Sequence, residues 1–250
     1  MIARGRGSAG IRVPSLERAR AVVAGASRGI GEAIAWRLVE AGATVVGLAR
    51  SAEGLDAAGG RMPAGGRFIA MPCDVSTDAG LRGIANAGWL REIDVLVLSA
   101  GIMHEGPAAS ATPGEFDELF ATNLRAPYAL IQLAMQGLIA SGGQIVLISS
   151  SAALGGRSGA VQYAALQAAL HSLSKSIRDE LNPLGVRVLT VFPGRVAGAR
   201  QQAIHRRAGV PYREEVLMQP DDVAQMVLAS LRLPYSAEVT ELHLRPMRKG

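Results

Sequence analysis

The sequence predicts an α/β fold in which a parallel β-sheet is covered by helices on both faces. Short aliphatic runs alternate with segments of helical periodicity along the chain, and this alternation is typical of βαβ units. The 250 residues include 30 glycines and only 4% aromatic residues, a composition that favours aliphatic buried strands joined by tight turns. Because no shift in composition marks a second domain, we predict a single domain over residues 18–250.

Seven strands and five helices are predicted from the pattern. The strands are the aliphatic runs at residues 21–24, 44–49, 67–71, 95–99, 144–149, 187–192 and 241–244. The helices are the periodic segments between them, at residues 31–40, 80–87, 113–138, 161–181 and 220–231. In the segment 161–181, apolar residues recur at helical spacing, which indicates a face packed on the core. This face consists of Leu166, Leu170, Leu173, Ile177 and Leu181.

The formal net charge of +5 is concentrated at the start of the chain, where the first twenty residues hold five arginines and one glutamate. We predict that residues 1–17 form a disordered basic tail, and a targeting segment is the alternative. A nucleic-acid partner would require a basic face on the folded domain, which the remaining residues do not predict. No apolar run reaches the ~18 residues of a membrane span, and the single cysteine, Cys73, excludes an intrachain disulfide. The expected location is therefore the cytoplasm, with no membrane partner.

A glycine-rich turn joins the first predicted strand to the first predicted helix. Its glycines allow a tight turn and a close approach of the backbone to a pyrophosphate, and the following helix offers unpaired N–H groups to the same ligand. In a parallel sheet, ligands bind beyond the carboxyl ends of the strands, where this turn lies. The predicted phosphate-binding residues are Gly25, Ser27, Arg28, Gly29, Ile30 and Gly31.

The end of the second predicted strand indicates which dinucleotide is bound. An NAD site needs a carboxylate there for the ribose hydroxyls, whereas this chain has Ala49 followed by Arg50. Together with Arg28 of the glycine-rich turn, Arg50 suits a 2′-phosphate through charge-assisted hydrogen bonds. We therefore predict NADP(H) as the cofactor, and the alternative is that both arginines are solvated surface residues.

With these motifs in place, residues 18–246 resemble the short-chain dehydrogenase/reductase family. The glycine-rich turn is similar to the family's TGxxxGIG motif, and further motifs follow in the family's order. They are Asp74 and Val75 beside the adenine, Ala100 and Gly101 of the NNAG turn, Asn123, Ser150, Tyr163, and Pro193, Gly194 and Val196 beside the nicotinamide. The resemblance implies a Rossmann-like, doubly wound sheet of seven strands, a substrate lid at about residues 195–218, and a homotetramer or homodimer.

The resemblance also implies the catalytic residues. Tyr163 would exchange a proton with the substrate oxygen, Ser150 would hold that oxygen, and Asn123 would link the site to solvent. The family has a lysine one helical turn after the tyrosine, whose charge favours the tyrosinate, and this chain has Gln167 there. The amide can bind a ribose hydroxyl but supplies no charge.

Other cations are poor replacements for the missing lysine. Lys175 lies twelve residues beyond Tyr163, roughly 18 Å along a helix, and Lys249 is the only other lysine. The candidate substitutes are Arg195, which follows the Pro-Gly turn, and Arg157, which lies in the loop before Tyr163. The predicted lid also carries His205, Arg206, Arg207 and Arg213, and His104 and Glu105 follow the NNAG-like turn. These six residues are interpreted either as substrate contacts or as solvated side chains. The four histidines and one cysteine do not have the spacing of a metal site.

Three functions are compatible with these residues. The leading hypothesis is an NADP(H)-dependent oxidoreductase acting on a small ketone/alcohol pair, slowed by Gln167. The second is a cofactor-binding protein without redox turnover, either regulatory or a pairing subunit, because Ala24, Ser99 and Gly198 also depart from the family's motifs. The third is a reaction without net hydride transfer in the same pocket. The sequence does not identify the substrate.

Overall fold

A computed structural model describes residues 13–248 of the chain. Its centre is one sheet of seven parallel strands in the order β3-β2-β1-β4-β5-β6-β7. The strands are β1 Arg20–Ala24, β2 Thr44–Ala49, β3 Arg67–Pro72, β4 Val95–Leu98, β5 Gln144–Ile148, β6 Arg187–Pro193 and β7 Glu241–Leu244. The predicted seven-stranded, doubly wound parallel sheet is therefore confirmed. Each predicted strand is present, with ends that differ by one residue at most.

Helices cover both faces of this sheet. They are α1 Gly29–Glu40, α2 Ala52–Gly60, α3 Asp78–Ala87, α4 Pro113–Phe120, α5 Ala126–Ser141, α6 Val161–Leu181, α7 Ala199–Ala208 and α8 Pro220–Leu231. The first apolar core packs α3, α5 and α6 against one face, and the second packs α1 and α8 against the other. The predicted apolar face of α6 is confirmed, since Leu170, Ile177 and Leu181 belong to the first core and Leu166 is also buried.

Two helices were missed from the sequence, and one predicted helix is interrupted. α2 contains three glycines, but Ser51 caps it and Leu55 is buried in the core. Six of the ten residues of α7 are polar, and its apolar residues are three alanines and Ile204, so the apolar period that predicts a helix is weak. The segment predicted as one helix over 113–138 contains a π-helical turn, Ala121–Arg125, between α4 and α5.

The ordered domain extends further towards the N-terminus than the predicted boundary at residue 18. Leu16 is buried with Ala19 in the second core, so ordered packing begins before residue 18. The predicted tail at residues 1–12, and Lys249, lie outside the described residues. Within residues 13–248, no helix is long and apolar enough to cross a bilayer.

Candidate active site

A cavity of about 1080 Å³ opens at the carboxyl ends of the strands, where the strand order reverses between β1 and β4. This is the position at which doubly wound sheets bind ligands. Apart from Gly31, all the predicted site residues line this one cavity. They are Gly25, Ser27, Arg28, Gly29, Ile30, Arg50, Asp74, Val75, Ala100, Gly101, Asn123, Ser150, Tyr163, Gln167, Pro193, Gly194 and Val196.

The turn between β1 and α1 is shaped by its glycines. Gly25 and Gly29 have φ values of +85° and +62°, which side chains rarely adopt. A Cβ on Gly25 would lie 2.7 Å from the Ala100 nitrogen, so the turn and the loop after β4 are in direct backbone contact. A Cβ on Gly31 would lie 2.2 Å from the Gly25 oxygen. Gly31 therefore packs against the backbone of the turn, on the side away from the cavity, and does not line the cavity.

The N-terminus of α1 is open to the cavity. Arg28 precedes the helix and makes no side-chain cap hydrogen bond, so the first N–H groups of α1 remain for a ligand. Backbone N–H groups and the positive end of the helix dipole favour a phosphate at this place. The turn and helix therefore fit the pyrophosphate of a dinucleotide.

The charged groups around the adenosine end are Arg28, Arg50 and Asp74. Both arginines are exposed at the cavity wall. The Asp74 carboxylate accepts hydrogen bonds from the Ser76 hydroxyl at 2.6 Å and from its backbone N–H at 2.9 Å. These bonds, helped by the charge of Arg50, hold the pKa of Asp74 below its usual value. The two guanidiniums give this end the charge that a 2′-phosphate requires.

Asn123 lies in the π-helical turn, and its buried side chain fixes the loop after β4. Its Oδ1 accepts from the Ile102 N–H at 2.9 Å, and its Nδ2 donates to the Ile102 carbonyl at 2.8 Å. Irregular turns of this kind are frequent at functional sites. The π-helical turn and these two hydrogen bonds together hold the Asn123 amide against the loop.

The predicted catalytic side chains come together at the other end of the cavity. Ser150 follows β5, while Tyr163 and Gln167 are buried on consecutive turns of α6. Gln167 is only 4% exposed, and its Oε1 accepts a hydrogen bond from the Ser149 hydroxyl at 3.0 Å. Among the described residues, none accepts a hydrogen bond from the Gln167 Nε2. The amide N–H₂ is therefore available to a ligand in the cavity.

Within residues 13–248, no lysine lies at this end of the cavity. Lys175 is exposed on α6 and does not line the cavity. Neither Arg195 nor Arg157, the candidate substitutes, is among the described lining residues. Arg157 instead pairs with Glu105 at 3.1 Å. The described cationic side chains that line the cavity are Arg28 and Arg50, in loops, and Arg200 and Arg207, on α7.

Helix α7, which lies in the predicted lid, contacts the loop after β4. Arg200 donates to the Gly101 carbonyl at 2.9 Å, and Arg207 donates to the Glu105 carbonyl at 3.3 Å. The Glu105 carboxylate lies between Arg157 and Arg207, at 3.1 and 3.6 Å. Glu105 thus links its own loop to the loop before α6 and to α7, whereas His104 pairs with Glu118 on α4. Arg206 and Arg213 do not line the cavity.

Ser149, Arg200 and Gln201 are among the lining residues that were missed from the sequence. Ser149 was assigned only to a strand, although it directly precedes Ser150 at a strand end. Arg200 and Gln201 lie in the unrecognised helix α7, and only the position of that segment after the Pro193–Gly194 turn could have indicated them.

The group of His, Cys, Asp and Glu side chains needed for a metal site is absent from residues 13–248. Burial raises the pKa of the Cys73 thiol to about 11, so this cavity residue is neutral.

Comparisons with known proteins identify the family. The sequence profile described as short chain dehydrogenase matches residues 19–208. The 3-oxoacyl-(acyl-carrier-protein) reductase FabG of Vibrio harveyi is 36% identical over 183 residues, which cover 72% of this chain and 74% of the relative. The corresponding FabG of Escherichia coli K12 is 32% identical, over 76% and 79% of the two chains.

Solved structures give the same result. A metagenomic short-chain oxidoreductase in complex with NADP superposes with a TM-score of 0.80 at 34% identity, over 94% of this chain and all of the other. An alcohol dehydrogenase from Thermococcus sibiricus complexed with 5-hydroxy-NADP gives 0.81 at 27% identity, over 92% and 97%. On the matching profile, relatives and site geometry, the chain belongs to the short-chain dehydrogenase/reductase family of oxidoreductases.

Proposed function

We propose that this chain is an NADP(H)-dependent oxidoreductase that interconverts a small ketone and alcohol, with turnover limited by Gln167. The observation that carries the proposal is the shared cavity. One end offers an uncapped helix N-terminus and two arginines, and the other offers Ser150 and Tyr163. The relatives that are named reductases, and the neighbours solved with NADP or an analogue, support the same reaction and cofactor.

The chain's residues would divide the reaction as follows. The bound nicotinamide supplies or accepts the hydride. In the reductive direction, the Tyr163 hydroxyl donates a proton to the carbonyl oxygen, and the Ser150 hydroxyl donates a hydrogen bond to that oxygen. The Gln167 N–H₂ offers a neutral donor to a hydroxyl group beside them. Because this donor carries no charge, it does not favour the tyrosinate that proton exchange requires.

A second candidate is a dinucleotide-binding protein without redox turnover. The observation that favours it is Gln167 itself, which is buried and hydrogen-bonded to Ser149 as a neutral amide. The features of the nucleotide end do not depend on this residue. A protein that binds NADPH tightly and turns over no carbonyl compound would fit this candidate.

The two candidates are separated by measuring NADPH binding and NADPH oxidation on the same preparation. Binding is followed by the fluorescence of the reduced cofactor, and oxidation by its absorbance with a panel of aldehydes, ketones and 3-oxo esters. The proposal expects saturable binding and slow, enzyme-dependent oxidation with at least one carbonyl compound, which Tyr163→Phe abolishes. Binding without any oxidation across the panel would reject the oxidoreductase and leave the second candidate.

We also infer that the chain assembles as a homodimer or homotetramer. Large apolar side chains are exposed on neighbouring helices, and a monomer would leave them in water. They are Phe116 and Phe120 of α4 and Tyr128 and Leu133 of α5. Sedimentation velocity of the native chain and of Phe120→Glu tests this inference. A native chain that sediments as a monomer at micromolar concentration would contradict it.

A further inference from the structure

A group of side chains that the proposed mechanism does not use lies one helical turn beyond Gln167. Tyr163, Gln167 and His171 follow each other on α6 at intervals of four residues, so each neighbouring pair shares a side of the helix. From His171 onwards the group does not line the cavity. It forms the rear cluster, which consists of His171 of α6, Phe192 of β6, and Glu241 and His243 of β7.

Both histidines of the rear cluster bind the Glu241 carboxylate. Its Oε1 accepts from the His171 Nε2 at 2.7 Å, and its Oε2 accepts from the His243 Nε2 at 3.2 Å. The bond from His171 is the main cause that holds the pKa of Glu241 below its usual value. The side chains of His171 and Glu241 are only 19% and 28% exposed, so water competes little for this bond. His171 therefore links α6 to β7 through a charge-assisted hydrogen bond.

Phe192 packs against the two imidazoles of the rear cluster. Its ring centroid is 4.7 Å from that of His171, in an edge-to-face contact, and 4.8 Å from that of His243. Phe192 is only 1% exposed, and it directly precedes Pro193 and Gly194, which line the cavity. The rear cluster therefore joins α6, which carries the predicted catalytic side chains, to the strand that leads into this turn.

The edge strand β7 connects the rear cluster to the same turn. β7 pairs with β6, and its Leu244 carbonyl accepts from the Gly194 N–H at 2.8 Å. α6 is linked to this part of the chain at two levels. Arg178 donates to the Thr240 carbonyl just before β7 at 2.8 Å, and His171 binds Glu241 two turns nearer to Tyr163. Of the two links, the one from His171 is therefore the nearer to the reaction end.

We propose that His171 is a positioning residue of the reaction end, whose hydrogen bond to Glu241 fixes α6 against β7 and thereby places Tyr163 relative to the Pro193–Gly194 turn. This inference rests on the proposed oxidoreductase function. An apolar side chain at position 171 would allow α6 to shift along the sheet, whereas a hydrogen bond has a preferred distance and direction. Such a shift matters because a misplacement of ~1 Å can slow a reaction ~10²-fold.

Two substitutions at position 171 separate the hydrogen bond from the packing. His171→Phe keeps a ring against Phe192 and has no donor for Glu241, whereas His171→Gln keeps a donor. We expect His171→Phe to lower kcat by about tenfold, with KM and the Kd of NADPH within about twofold of native, and His171→Gln to restore most of kcat. Glu241→Leu should cause the same loss. The double variant His171→Phe/Glu241→Leu should lose no more than either single variant, because all three lack the same interaction.

The control for a general loss of stability is Tyr235→Phe, which removes a hydrogen bond to the Gly142 carbonyl at the amino ends of the strands. An unchanged kcat in His171→Phe or in Glu241→Leu would overturn the inference, and so would multiplied losses in the double variant. A similar loss of kcat in Tyr235→Phe would overturn it too, as would a His171→Gln variant as slow as His171→Phe. If His171→Phe does not fold, Glu241→Leu and His171→Gln provide the same comparison.

Hydrogen exchange of α6 keeps the inference separate from turnover. Measured by mass spectrometry without substrate, the amides of residues 163–171 should exchange at least about threefold faster in His171→Phe than in the native chain and in His171→Gln. That result in a protein that oxidises no NADPH would support the anchoring of α6 and reject the proposed reaction. Native exchange rates in His171→Phe, in a protein that turns over, would reject the anchoring and support the reaction.

Discussion

The two ends of the cavity are built in different ways. At the nucleotide end, the groups that would contact the pyrophosphate are backbone N–H groups of α1, placed by Gly25, Gly29 and Gly31, and only the 2′-phosphate would depend on arginine side chains. At the reaction end, the groups are the side chains of Ser150, Tyr163 and Gln167. Backbone donors tolerate many substitutions around them, whereas a proton relay depends on the chemistry of each side chain. A single replacement can therefore change the reaction end and leave the nucleotide end as it is.

Removing the Tyr163 hydroxyl should have the largest effect of the changes considered. Tyr163→Phe is expected to lower kcat by about 100-fold or more, because general acid catalysis is typically worth ~10²–10⁴. The Kd of NADPH should change little, since the nucleotide end is untouched. Stopped-flow and steady-state assays measure kcat, with Tyr128→Phe on the exposed side of α5 as the control. A similar loss of NADPH affinity in Tyr163→Phe would show that the two ends are not separate.

Removing an arginine at the nucleotide end should weaken NADPH binding and leave the catalytic step unchanged. Charge-assisted hydrogen bonds contribute ~1.5–3 kcal/mol each, so Arg28→Ala and Arg50→Ala should each raise the Kd of NADPH by about tenfold or more. The Kd of NADH should stay nearly constant, because only the 2′-phosphate is lost. Fluorescence titrations with both cofactors measure this, and Arg91→Ala, an exposed arginine away from the cavity, is the control. Equal losses for NADPH and NADH would contradict the assignment of these arginines.

The hydrogen bond between Ser149 and Gln167 offers a smaller test at the reaction end. Ser149→Ala removes the donor to the Gln167 Oε1, and a net hydrogen bond is worth ~1 kcal/mol. We expect kcat to fall by about fivefold as the amide loses its fixed orientation, and Ser149→Thr to restore it. Ser151→Ala, on an exposed residue that does not line the cavity, is the control. An unchanged kcat in Ser149→Ala would mean that the orientation of Gln167 has no consequence for turnover.

The same contrast explains what could be predicted from the sequence. Strands buried on both faces are continuous aliphatic runs, and the glycines of the β1–α1 turn have fixed spacing, so the sheet and nucleotide end were predictable. α7 was not, because its contacts with the loop after β4 are made by Arg200 and Arg207, and its apolar residues, three alanines and Ile204, give only a weak period. The π-helical turn at Asn123 coincides with a contact to Ile102, 21 residues away. Tertiary contacts of this kind have no local signal.

A substitution at Gln167 should change the reaction end and leave the nucleotide end unchanged. The central claim is that the neutral amide limits turnover while the nucleotide end is intact. The most direct measurement compares kcat and the Kd of NADPH for the native chain, Gln167→Lys and Gln167→Met. We expect Gln167→Lys to raise kcat by about threefold or more, since an ammonium beside Tyr163 favours the phenolate, although burial of the charge offsets part of the gain. Gln167→Met should lower kcat, and both variants should bind NADPH within about threefold of native. A native chain at least as fast as Gln167→Lys, with equal NADPH affinity, would contradict the claim.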